Sequence, residues 1–157
     1  MAYYFRVFCT TGEPPALAEV LRWVADRGVR LRTEPTGITA WGSEPVKLVY
    51  EDGRAPFLAE VDLNNGPDSL AAQEIGEFLD LVREIKKYPR KRERVADQLE
   101  HTRFIVACRI PVDDFTDAGF HAIDVFMAYF LVHHGGMVQA DGQGFYEDGK
   151  ITLELAA

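Results

Sequence analysis

The chain has 157 residues, of which 47% are hydrophobic, and a formal net charge of −8. This length suits one domain with its own core, and the apolar content excludes a disordered chain. No apolar run approaches the roughly 20 residues that a membrane-spanning helix needs. We therefore expect a single domain over 1–157 that is soluble, cytoplasmic and not bound to a membrane.

Positive charge is concentrated between Lys86 and Arg94, where six basic residues accompany one acid. The rest of the chain has 11 basic and 24 acidic residues, a balance of −13. Such a surface repels nucleic acid and attracts cationic partners, so a nucleic-acid role is disfavoured. The basic segment could contact phosphate or an acidic partner, although a solvated junction between two helices is the simpler interpretation.

The first half of the chain reads as strands around one helix. Residues 4–9 alternate as a strand, and Leu17, Val20 and Val24 form the apolar stripe of a helix that opens at Pro14-Pro15 and ends at Gly28. Period-two patterns then predict four further strands, the middle two forming a hairpin. These strands cover residues 29–33, 38–41, 46–50 and 56–63.

The second half is richer in helix. Asp68 or Ser69 caps a helix with an apolar stripe, and Pro89 separates it from a short charged helix that ends near Glu100. A strand at 103–108 precedes a long, very apolar helix at 115–133, which Gly135-Gly136 ends. Three short strands are predicted at 137–140, 144–146 and 151–155.

The two ends of the chain resemble each other. Phe5, Val7 and Cys9 recur at an offset of 99, and Trp41 and Val46 align with later residues at an offset of 105. Their counterparts are Phe104, Val106, Cys108, Tyr146 and Ile151. The pattern predicts duplication of a β-α-β-β unit, with copies at about 1–55 and 102–157 and a strand and helices between them at about 56–101. Chance similarity of short strands is the alternative.

The order of elements predicts an α+β fold. We expect a mainly antiparallel sheet with its helices packed on one face.

One candidate site lies on the long helix. Asp117, His121 and Asp124 are spaced four and three residues apart, so they share one side of the helix. A histidine between two carboxylates can bind a metal or act as an oriented base. The alternative is that these residues are the one solvated stripe of an otherwise buried helix.

Two weaker candidates lie on predicted strands. Glu60 and Asp62 share one strand face and could hold a cation or a basic partner, although such pairs commonly form the wet face of a sheet. Trp41 and Tyr146 could anchor a partner, although aromatic residues more often pack in the core.

No motif for catalysis or cofactor binding is present, so we expect a binding or interaction protein with no cofactor rather than an enzyme. One concrete form is a bacterial, acidic inhibitor-type (immunity-like) protein that binds a basic partner. The alternative is a small enzyme or a ligand- or metal-binding domain that uses Asp117, His121 and Asp124. A homodimer through a sheet edge, or through Trp41 and Tyr146, is a third possibility.

Overall fold

A computed structural model describes residues 3–155. This range contains eight strands and four helices. The strands are β1 (Tyr3–Cys9), β2 (Arg32–Glu34), β3 (Val46–Val49), β4 (Phe57–Leu63), β5 (Phe104–Ile110), β6 (Met137–Ala140), β7 (Gly144–Glu147) and β8 (Lys150–Glu154), and the helices are α1 (Leu17–Asp26), α2 (Leu70–Glu84), α3 (Pro89–Glu100) and α4 (Asp117–His133).

All eight strands form one antiparallel sheet in the order β2-β3-β4-β5-β1-β6-β7-β8. Its centre is the pair β1 and β5, in which Val7 lies opposite Val106. Most of β5 is apolar on both sides, which is the pattern of a strand covered on both faces. The predicted α+β fold with a mainly antiparallel sheet is confirmed.

The helices pack on both faces of the sheet, so the expected packing on a single face is corrected. Val7 and Cys9 lie against α1 and α4, whereas Phe8, which points the opposite way, lies against α2 and α3. We call these the α1/α4 face and the α2/α3 face. Val7, Phe8 and Cys9 are buried, so this end of β1 is covered on both sides.

Each helix pair covers only half of its face, and the two covered halves are diagonal to each other. The buried cluster on the α1/α4 face draws its strand residues from β1, β3, β4 and β5, and none from β6, β7 or β8. The cluster on the α2/α3 face uses β1, β5, β6, β7 and β8, and none from β2, β3 or β4. Each face therefore has an open half, over β6–β8 on one side and over β2–β4 on the other.

The structure does not confirm the internal duplication. After α1 the chain reaches the edge strand β2 and moves inward to β4, whereas after α4 it reaches the inner strand β6 and moves outward to β8. The segment expected to be a strand at 38–41 is a loop, in which the Trp41 indole donates to the Pro15 carbonyl. Its proposed equivalent, Tyr146, lies in β7. The patterns aligned at an offset of 105 therefore lie in different elements, whereas those aligned at an offset of 99 lie on the two paired central strands β1 and β5.

Helix α4 is apolar on nearly every side, yet the chain covers only part of it. Phe120 and Leu131 are each 41% exposed, and Val132 is 69% exposed. A helix that is apolar all round is normally enclosed by other structure. Across residues 3–155, no helix is both long and apolar enough to cross a membrane.

Candidate functional site

A groove runs beside α4 over the open half of the α1/α4 face. Its apolar wall and floor come from α4, β1, β6 and β7, and it encloses about 580 Å³. The apolar side chains that line it are Phe5, Met127, Leu131, Val138 and Tyr146. We call this the α4 groove. A volume of this size falls in the range of natural ligand and peptide sites.

Strand register explains why these side chains share one surface. Val138 lies opposite Val7 on β1 and opposite Tyr146 on β7, so the three side chains point to the α1/α4 face. On α4, Asp124, Met127 and Leu131 follow one another at spacings of three and four, and therefore line the same side of the helix.

Acidic groups surround the α4 groove. Asp124, Glu147 and Asp148 all line its rim, together with one cation, Arg94, which is already 3.5 Å from Glu147. Burial raises the pKa of the Asp124 carboxyl, and His121 opposes that rise. The rim therefore offers negative charge next to apolar surface.

The three predicted residues on α4 have different surroundings. Asp117, His121 and Asp124 all lie on the exposed side of the helix, and only Asp124 reaches the groove. Nowhere in the described range do three or more His, Cys, Asp or Glu side chains form a group that could hold a metal ion. Asp124 is therefore the member of this trio that belongs to a concave surface.

The opposite open half, on the α2/α3 face, is polar. Glu60 and Asp62 of β4 lie half-buried there near Glu74 of α2. Burial raises the pKa of all three carboxyls, and mutual repulsion with neighbouring acids adds to the rise for Glu60 and Glu74. The predicted wet face thus holds a cluster of three carboxyls, with Lys47 and Arg109 on the same face of the neighbouring strands, and we call this cluster the acidic half-face.

Arg6, on the central strand β1, is the cation that pairs with Glu74 at the border of this surface. Its guanidinium binds Glu74, donates to the Asp141 carboxylate at 2.7 Å and to the Gln139 side-chain oxygen at 2.8 Å. It also lies over the rings of Tyr4 and Phe78. The arginine therefore ties β1, β6 and α2 together at this side of the sheet.

Replacing Asp62 with asparagine is expected to raise the free energy of unfolding at pH 7 by roughly 0.5 kcal/mol, a figure discounted for solvent screening. The Asp62 pKa is higher in the folded than in the unfolded chain. The stability that protonation gives is therefore complete below about pH 4 and is lost as the pH rises through the folded pKa. Asparagine has no ionisable carboxyl, so the variant does not lose this stability as the pH rises.

Chemical denaturation at pH 7 and pH 3 measures this difference. The gain should appear at pH 7 and vanish at pH 3, and the exposed loop variant Glu44→Gln should change neither value. An equal gain at both pH values would contradict the electrostatic explanation.

Trp41 and Tyr146 have unequal roles. The Trp41 ring packs edge-on against buried Phe126, which makes it a cover for the core. Tyr146 lines the α4 groove and its hydroxyl contacts Gln143.

The basic segment lies at the junction of α2 and α3, as expected. Lys86, Lys87, Arg90 and Lys91 are exposed there, and Arg92 instead turns inward to donate to the Ile85 carbonyl.

Apart from Tyr146, sequence reasoning missed the apolar residues of the groove, because each belongs to a pattern that also suits a core. One signal was available: on a helix with a single buried side, Phe120, Leu131 and Val132 would not all be apolar. Arg6 was also missed, since a lone arginine in a strand gives no sign of its partners.

These features define an α+β protein with one large antiparallel sheet, an apolar groove with an acidic rim and a separate acidic half-face. No protein-family model, curated protein or solved structure matches the chain.

Proposed function

We propose that this protein is a protein-binding domain that takes a basic partner into the α4 groove. The observation that carries the proposal is the open half of the α1/α4 face, where apolar side chains of α4, β1, β6 and β7 lie beside three rim carboxylates. Buried apolar contact supplies most of the stability of such complexes, and rim charge selects the partner.

Charge outside the groove supports a cationic partner. The chain carries −8 overall, and Glu60, Asp62 and Glu74 add a second concentration of negative charge on the opposite face. A field of this sign speeds the approach of a basic protein and slows that of an acidic one. An inhibitor that neutralises a basic effector is one role of this kind.

Charge reversal at the rim tests the proposal. Asp124→Lys is expected to weaken binding about tenfold, because it places a cation against the cation of the partner. Glu44→Lys makes the same change of charge on a loop away from the groove and serves as the control.

The measurement is quantitative capture from the source cells on the immobilised protein at low salt, with elution by rising salt. The wild type and Glu44→Lys should retain the same basic protein, and Asp124→Lys should retain much less. Equal retention by all three, or release that does not depend on salt, would contradict the proposal.

A further inference from the structure

We infer that the α4 groove accepts an amphipathic helix of the partner, with apolar residues on one side and a basic residue that reaches Asp124. This inference rests on the proposed function and specifies the shape and chemistry of what binds. It follows from the dimensions of the groove, from its hydrogen-bonding capacity and from its charge.

The groove has the size of one missing helix. Along α4, Phe120 and Leu131 are eleven residue steps apart, about 16 Å, which equals three helical turns. The floor extends from β1 across β6 to β7, two strand spacings or about 10 Å, close to the diameter of a helix with its side chains. A helix lying there would sit at the usual 8–10 Å from the axis of α4.

The groove continues past its deepest part. A second recess of about 590 Å³ shares Phe5 and Gln143 with it and extends to Phe120 and Val112. Val112 is 85% exposed. This length suits several successive side chains of a helix, spaced three and four residues apart.

Hydrogen bonding favours a helix over an extended peptide. The floor is the face of β6 and β7, and the backbone groups of both strands are already paired with their neighbours on each side. An extended segment placed on this face would leave its own N–H and C=O groups without partners, whereas a helix pairs its own.

Charge favours a heterologous partner over a second copy of this chain. The rim carries Asp124, Glu147 and Asp148, and its cation, Arg94, already pairs with Glu147. Two such rims would repel each other, whereas a lysine or arginine on the entering helix would offset the partly desolvated Asp124 carboxylate.

Two fluorescein-labelled synthetic peptides test the inference against the full chain by fluorescence anisotropy. The first is a stapled 14-residue helix with leucine at four positions spaced 4, 3 and 4 apart and arginine beside them. The second has the same sequence without the staple, except that two central residues outside the leucine and arginine positions are replaced by proline. We expect the helical peptide to bind at least tenfold more tightly than the proline peptide.

Matched variants locate the binding. Leu131→Asp and Asp124→Lys should each weaken the helical peptide about tenfold. Leu70→Asp, at an exposed leucine of α2, and Glu44→Lys should leave it unchanged.

Equal binding of both peptides, lost in Leu131→Asp, would overturn the helical inference and leave the proposed function standing. Absence of binding, or binding that ignores both groove variants, would overturn the groove as the site. A dimer in sedimentation velocity that Leu131→Asp dissociates would replace the partner helix with a second copy.

Discussion

Gly144→Ala is expected to lower the free energy of unfolding by about 3–5 kcal/mol. Gly144 begins β7 with φ +135°, a conformation that residues with a side chain rarely adopt. A Cβ there would lie 2.1 Å from the Leu153 carbonyl oxygen of β8, so the backbones of the two strands would have to separate. Because Leu153 is buried against α3, that separation also disturbs the core of the α2/α3 face.

Gly142→Ala provides the control for this prediction. Gly142 also has a positive φ, +73°, but a Cβ would meet nothing within 4 Å. Gly142→Ala should therefore lower the free energy of unfolding by about 1 kcal/mol, because only the backbone conformation is disfavoured. Urea denaturation of the two variants measures the difference. Similar losses would show that the approach of β8 to Gly144 is not the cause.

The second large effect is expected at Arg6. Arg6→Met should lower the free energy of unfolding at pH 7 by about 3 kcal/mol, because it leaves the partly buried carboxylates of Glu74 and Asp141 without their cation. The Arg6 side chain is only 14% exposed and binds Glu74 and Asp141. Arg6 also opposes the rise that burial causes in the pKa of Glu74. Without Arg6, the ionised Glu74 carboxylate destabilises the folded state more strongly.

The pH dependence of Arg6→Met separates charge from packing. Loss of the arginine raises the Glu74 pKa further, so the folded variant binds protons that the unfolded chain releases. Its stability should thus fall as the pH rises above about 4, and most of the loss should be absent at pH 3. A loss of the same size at both pH values would mean that packing against Tyr4 and Phe78 is responsible.

Two further variants complete the experiment. Adding Glu74→Gln to Arg6→Met should recover part of the loss at pH 7, because one unpaired carboxylate is removed. Arg103→Met removes an exposed ion pair with Glu13, in which the side chains are 55% and 79% exposed. It should cost less than about 1 kcal/mol.

The α4 groove exists because the helices cover only part of each sheet face. Local sequence patterns do not show which part they cover. The apolar alternation of β1 and β5 predicted strands, but it did not show that helices pack on both of their sides. Met127 and Val138 look like core residues in sequence, and both do contact the α1/α4 core, yet they also line the groove because the buried core on that face takes no residue from β7 or β8.

The helices, most strands and the acidic character of the surface were determined by the sequence itself. Apolar stripes at spacings of three and four, Ser69 as a cap and Pro89 as a first helical residue act within a few residues, so they can be read locally. Glu60 and Asp62 were likewise recognisable as the polar side of a strand.

The tertiary structure alone decided which strands are neighbours, which half of each face stays open and which charges meet. Arg6 binds Glu74 and Asp141 across 68 and 135 residues of chain, and Asp124 and Tyr146 line one groove only because β1 lies between β5 and β6. Such contacts depend on long-range strand order, which the free energy of the whole packed core selects and no short segment encodes.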